Sequence, residues 1–168
     1  MTLEDLGWNE AFAEGFAPFA ERGLIPARLV RETKINFAAL LEGGEEIDCV
    51  LGGKVWHEAE NDADLPSVGD WVALDRGGNC DEVIIRERLP RFSRFSRKMP
   101  GKSAQEQVLA ANVDIVVVVT DPGGDFNLRR MERYLTLIDR CGAKPVVLLN
   151  KADLFPEKDC VDAAGELR

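Results

Sequence analysis

Asp114-Ile-Val-Val-Val-Val-Thr120 and Lys144-Pro-Val-Val-Leu-Leu149-Asn-Lys-Ala-Asp153 decide the fold of the second part of this chain. The first is a continuous β-branched run, the pattern of a strand buried on both faces of a parallel sheet. Asp121-Pro-Gly-Gly-Asp125 is loop chemistry, and Asp125 or Asn127 can cap a helix beginning just after it. Leu128, Met131, Leu135 and Ile138 then recur at spacings of three and four, which predicts one apolar helix face, and Gly142 stops that helix. The spacing thus predicts a strand–helix–strand crossover. Its second strand, Lys144 to Leu149, delivers Asn150-Lys151-Ala152-Asp153 to the carboxyl edge of the sheet, where open α/β sheets bind ligands.

Asn-Lys-x-Asp at that place suits a guanine ring. An ionised Asp is an acceptor only, so Asp153 can take two hydrogen bonds, from the ring N–H and the exocyclic amine. Adenine offers no such pair, and a carboxylate left unpaired costs roughly 1–3 kcal/mol. Asn150 can donate to the base edge or brace the loop, and the stem of Lys151 can lie over the purine face. The competing reading is an ordinary polar turn. Gly101-Lys102-Ser103 is the one GK[ST] match, but Ser96 stands where a phosphate loop needs glycine, and no apolar strand leads into it. Among the DxxG matches, Asp75-Arg-Gly-Gly78 and Asp121-Pro-Gly-Gly124 read as turns.

Before the crossover the hydrophobic period is two. Ala27 to Leu41, Ile47 to Leu51, Val55 to His57, Val68 to Leu74 and Glu82 to Glu87 read as short strands broken by glycine turns. They predict a small antiparallel barrel over Leu24 to Leu89, with spacing alone unable to separate an OB-fold from an SH3-like barrel. Leu3, Trp8, Phe12, Phe16 and Phe19 predict an amphipathic helix packed on that barrel and ending near Pro18.

The chain has 168 residues, 45% of them apolar, and a net charge of −9, which allows one or two domains and argues against a surface that coats nucleic acid generally. Residues 1–70 hold fifteen Asp/Glu against five Lys/Arg. Between Arg86 and Lys102, in contrast, seven basic residues (Arg86, Arg88, Arg91, Arg94, Arg97, Lys98 and Lys102) face Glu87 alone. Phe92 and Phe95 interleave with them. Such a tract is a candidate contact to RNA phosphates and bases; the alternative is a solvated linker whose two Phe pack as core. No apolar run is long enough for a membrane span and no basic leader opens the chain, so a cytoplasmic protein is expected. Cys49, Cys80, Cys141 and Cys160 lack C-x-x-C spacing and read as buried or bystander thiols, and no metal site is expected in this chain. His57 reads as a surface residue on a strand.

Val68-Gly-Asp-Trp-Val-Ala-Leu74, Leu89-Pro-Arg-Phe-Ser-Arg-Phe-Ser-Arg97, Gln107-Val-Leu-Ala-Ala-Asn-Val-Asp114 and then Asn150 to Asp153, in this order, resemble the RsgA/YjeQ family of ribosome small-subunit-dependent, circularly permuted GTPases. Leu6-Gly-Trp8 and Gly23-Leu-Ile-Pro-Ala-Arg28 resemble its opening. The resemblance implies an α+β protein: an N-terminal helix plus OB-fold over 1–90, a basic linker over 91–105, and over 106–168 the first part of a P-loop-type α/β GTPase domain. It implies GTP/GDP and Mg²⁺ in the complete protein, zinc in a C-terminal module, and the small ribosomal subunit and its rRNA as partners, without DNA or membrane. This chain lacks the phosphate loop, switch regions and zinc ligands, so it reads as an N-terminal fragment, inactive alone and without its catalytic residues. A second reading is an OB-fold nucleic-acid-binding module with no nucleotide activity.

Overall fold

The computed structural model describes residues 1–33, 36–77, 82–98 and 106–167, the side chain of Lys98 excepted. They form two units, Met1–Asn112 and a second from Val113 on. In the first, β1 (Ile25–Glu32), β2 (Phe37–Leu40), β3 (Glu46–Leu51), β4 (Trp71–Asp75) and β5 (Val83–Arg88) close a barrel in the order β1-β2-β3-β5-β4. Closure leaves no unpaired strand edge. That order is the OB topology, so the choice that strand spacing leaves open is resolved. The β3–β5 pair is parallel and the other pairs are antiparallel.

Alternation sorts the strand residues. Ala27, Leu29, Ala39, Cys49, Val72, Leu74 and Ile85 fill the barrel. Strand β4 is buried on both faces, because Trp71 and Ala73 point outward against α1 (Glu10–Ala20). Helix α1 presents Phe12 and Phe16 to them, and Trp8 meets Trp71 edge-on at 4.6 Å. Each buried Phe contributes about 1.5–3 kcal/mol. Asn9 caps α1 by accepting from the Phe12 N–H at 3.1 Å. The helix runs past Pro18 to Ala20, since proline in the last turn forfeits a single backbone bond.

Three expectations about the first unit need correction. Val55 to His57 is not a strand: it lies in α2 (Gly53–Glu58), so exposed His57 sits on a helix. The Gly52 N–H is held by the Ile85 carbonyl at 3.0 Å, and the Gly52 carbonyl takes the Trp56 N–H at 3.2 Å, which turns the chain into a helical turn. Residues read as a linker instead form β6 (Arg94–Lys98), paired antiparallel with β7 (Glu106–Ala111), and this hairpin belongs to the first unit. Phe92 is 54% exposed, touching Phe12 at 6.1 Å, and is no core residue.

The recognisable motifs meet around this hairpin. Asn112 is buried with φ 53°; its side chain accepts from the Phe92 N–H at 3.0 Å and donates to the Gly69 carbonyl at 3.0 Å. Gly69 has φ 90°, and a Cβ there would lie 2.1 Å from the Ala111 carbonyl oxygen, so only glycine fits.

In the second unit, β8 (Ile115–Thr120) and β9 (Lys144–Leu149) pair in parallel from Ile115↔Lys144 to Thr120↔Leu149, joined by α3 (Leu128–Cys141) and followed by α4 (Glu157–Glu166). Asn127, of the two candidate caps, accepts from the Arg130 N–H at 3.1 Å. Met131 and Ile138 are buried, whereas Leu128 is 40% exposed. Burial of β8 on both faces is not observed. Val118 and Thr120 are covered, but Ile115, Val117 and Val119 are each more than half exposed. They form one apolar face with Val146 and Leu148, because a run of β-branched residues does not say which faces a chain covers. Such a face favours association. Sedimentation of the 168-residue chain is expected to show concentration-dependent self-association; a strictly monomeric species at high concentration would count against it.

Candidate guanine-nucleotide site and basic segment

The parallel pairing puts two loops side by side at the carboxyl ends of β8 and β9. Asn150 continues the pairing, its N–H donating to the Thr120 carbonyl at 2.7 Å. Lys151 then adopts the left-handed region at φ 56°, ψ 29°. For a lysine this conformation costs roughly 1–2 kcal/mol, so the loop is held there by its surroundings. A 3-10 turn over Ala152–Leu154 comes next, with the Leu154 N–H on the Lys151 carbonyl at 3.0 Å.

The neighbouring loop is tied by Asp121, whose Oδ1 accepts from the N–H groups of Gly123 (2.9 Å) and Asp125 (3.2 Å). Gly123 has a second role. A Cβ there would come within 2.2 Å of the Phe155 ring, so the missing side chain lets Phe155 seat against this loop. The left-handed Lys151 and the Gly123–Phe155 contact have no signature in the sequence. Asp121-Pro-Gly-Gly124 is legible there only as a turn.

Asn150, Lys151, Ala152 and Asp153 are all exposed. Among the described residues none donates a hydrogen bond to the Asp153 carboxylate, so both oxygens are open to a pair of donors. Cys160, part-buried, places its thiol 3.7 Å from the Ala152 carbonyl. Cys49 lies in the barrel core, where burial and then the charge of Asp48 push its thiol up to about 11, the behaviour of an inert thiol. Cys80 lies outside the described residues, as do Gly101-Lys102-Ser103 and Gly78.

The basic residues divide sharply. Arg91 is committed internally: its side chain is 8% exposed and grips Asp70, which is fully buried, through Nε at 2.7 Å and Nη2 at 2.6 Å. It also donates to the carbonyls of Ala63 (2.7 Å) and Leu65 (2.8 Å). Arg88 donates to the carbonyls of Asp64 and Leu89, and burial, then the nearby Arg91, lowers its pKa. Arg86 forks onto Asp75, whose carboxyl is held low first by the Gly77 N–H and then by Arg86. Arg94 is exposed and loosely paired with Glu106 at 3.5 Å; Arg97 is exposed and reaches Gln107 at 3.5 Å. Lys98 ends β6 and Lys102 lies outside the described residues. Two exposed arginines on one strand therefore remain open to phosphate. No group of three His, Cys, Asp or Glu among the described residues could hold a metal ion, and no described helix is long and apolar enough to cross a membrane.

The chain as a whole is similar to known proteins of one family. A family profile described as RsgA GTPase matches residues 88–167. Over 176 aligned residues the chain is 44% identical to the small ribosomal subunit biogenesis GTPase RsgA of Opitutus terrae, covering 100% of this chain and 47% of the relative. It is 40% identical to the protein of the same name from Syntrophotalea carbinolica, over 94% and 44%. Among solved structures it resembles YjeQ from Thermotoga maritima (TM-score 0.62, 23% identity, 84% of this chain and 46% of that one). It also resembles YloQ, a circularly permuted GTPase (TM-score 0.59, 18% identity, 86% and 46%). These two likenesses bear on the fold. The chain spans about half the length of the relatives it matches.

Proposed function

The chain belongs to the RsgA GTPase family, and we propose that it supplies the guanine-reading and RNA-contacting part of a GTP-hydrolysing factor in small ribosomal subunit biogenesis. The observation that carries this reading is the loop from Asn150 to Asp153, exposed at the carboxyl end of β9 with the Asp153 carboxylate open. Asn150 positions the loop through its backbone and offers a side-chain amide, Lys151 offers an aliphatic stem to the purine face, and Asp153 selects guanine by accepting from two donors. GTP and GDP are the nucleotides expected, with Mg²⁺ at the phosphates in the complete protein. The described residues supply no ligand set for Mg²⁺ or for the zinc of a C-terminal module. Hydrolysis needs phosphate positioning, and this chain contributes the base-binding end of the ligand. GTP affinity, measured against ATP, tests the reading in a chimera that joins this chain to the part of the Opitutus terrae relative it does not span.

RNA contact is assigned to the hairpin. The barrel with its β6–β7 hairpin would meet ribosomal RNA through Arg94 and Arg97, and Arg86, Lys98 and Lys102 are kept as further candidate contacts; Arg88 and Arg91 brace the barrel. Replacing Arg94 and Arg97 together by alanine is expected to flatten the log–log salt dependence of RNA binding by about 0.7–0.9 per lost contact. An unchanged slope would remove RNA contact from this strand. Persisting RNA binding in a chimera that fails to bind GTP would favour the second reading, an OB-fold module without nucleotide activity.

A further inference from the structure

The face of the barrel around the end of β1 has the opposite charge from the hairpin. A cavity of about 450 Å³ opens there, walled by Phe37, Leu51, Pro66 and Trp56, with Glu32 and Glu82 at its rim. A second recess of about 170 Å³ shares Glu32 and Pro66 and extends the groove to Asp62 and Ser67. Trp56 is 60% exposed on α2, an unusual place for the largest apolar side chain. Glu32 takes one hydrogen bond, from Ser67 Oγ at 3.4 Å, and has no ion pair among the described residues. Glu32 is open to solvent on one side; its partial burial, opposed by the Ser67 hydrogen bond and aided by the charge of Asp70, raises its pKa, so a cation beside it would favour the charged form.

An aromatic face beside a carboxylate with no ion pair among the described residues is the chemistry that holds a guanidinium or ammonium group. Three carboxylates along one groove repel phosphate, so the groove itself disfavours RNA even though Gln107 and Val108 of β7 line its second recess. We propose that the groove binds a basic polypeptide segment, an Arg or Lys side chain lying over Trp56 and pairing with Glu32 while an apolar neighbour packs on Phe37 and Pro66. The charge complementarity and the mixed apolar–acidic lining select a protein partner over a nucleic acid. The assignment stands independently of the guanine loop.

Fluorescence anisotropy with the 168-residue chain and a labelled short peptide of alternating arginine and leucine tests it. A glutamate–leucine peptide and an oligouridine RNA serve as comparisons. The arginine–leucine peptide is expected to bind and the glutamate–leucine peptide not. Glu32→Gln and Trp56→Ala are each expected to weaken the peptide by about tenfold while leaving oligouridine binding unchanged. Both sites are open to solvent, and Glu32→Gln keeps the side-chain shape, so it decides the matter should Trp56→Ala fail to fold. Peptide affinity unchanged in Glu32→Gln, or oligouridine binding weakened by either substitution, would overturn the proposal.

Discussion

Arg91→Ala is expected to destabilise the first unit by about 3–5 kcal/mol, read as a large drop in the urea midpoint. Asp70 is fully buried and Arg91 supplies both of its charged hydrogen bonds. Truncation leaves a buried carboxylate with, among the described residues, the Ser67 N–H at 2.8 Å as its remaining donor. It also strands the carbonyls of Ala63 and Leu65. A domain of this size is stable by about 5–15 kcal/mol, so the loss is a large fraction of the total. Arg91→Lys should recover little, because a single ammonium cannot form the planar fork onto Asp70 while reaching two carbonyls. Replacing the pair together, as Asp70→Leu with Arg91→Met, should restore much of the midpoint, since the cost lies in the uncompensated charge. A wild-type midpoint in Arg91→Ala, together with weaker RNA binding, would return Arg91 to the phosphate-contacting set.

That arginine shows what sequence can and cannot carry. Arg91 sits in a run with Arg88, Arg94 and Arg97, and on the chain all four are equal. The difference comes from Asp70, twenty-one residues earlier, and no local pattern reveals that pairing. Motifs legible as a family signature, around Asp70, Arg91 and Asn112, turn out to be one interlocked structure that fixes the β6–β7 hairpin to the barrel. Asn112 bonds across forty-three residues to Gly69, and that bond, not the local sequence, explains why asparagine stands at a left-handed position. The crossover is legible because it is local: the β-branched run, the three-and-four spacing, the Asn127 cap and the Gly142 stop act within a few residues of where they are written. Val55 to His57 misleads because three residues cannot distinguish periods, and the bond from Gly52 to Ile85 decides the outcome. The position of Asn150 to Asp153 at a strand end is legible. The strained Lys151 and the Phe155 ring seated on Gly123 are not, since both depend on how two loops approach.

The second large effect is expected at Asp153. In Asp153→Asn one acceptor oxygen becomes an amide, so a donor faces the amine or ring N–H of guanine. Two charge-assisted bonds are lost or weakened and one contact turns repulsive. The expected loss is about 3 kcal/mol, roughly two orders of magnitude in affinity. Xanthine carries a carbonyl where guanine has its amine, so the same amide should suit it better. The exchange of preference separates base recognition from general damage: a misfolded loop would lose both nucleotides. The asparagine is close to isosteric with Asp153, and the side chain it replaces is exposed, so little change in stability is expected.

The most direct measurement is therefore a parallel titration of GTP and XTP against wild type and Asp153→Asn, in the chimera that completes this chain with the remainder of the Opitutus terrae relative. The predicted result is strong GTP preference in wild type and a reversal toward XTP in the variant. Equal GTP affinity in the two proteins would contradict the assignment of Asn150 to Asp153 as the guanine-reading loop.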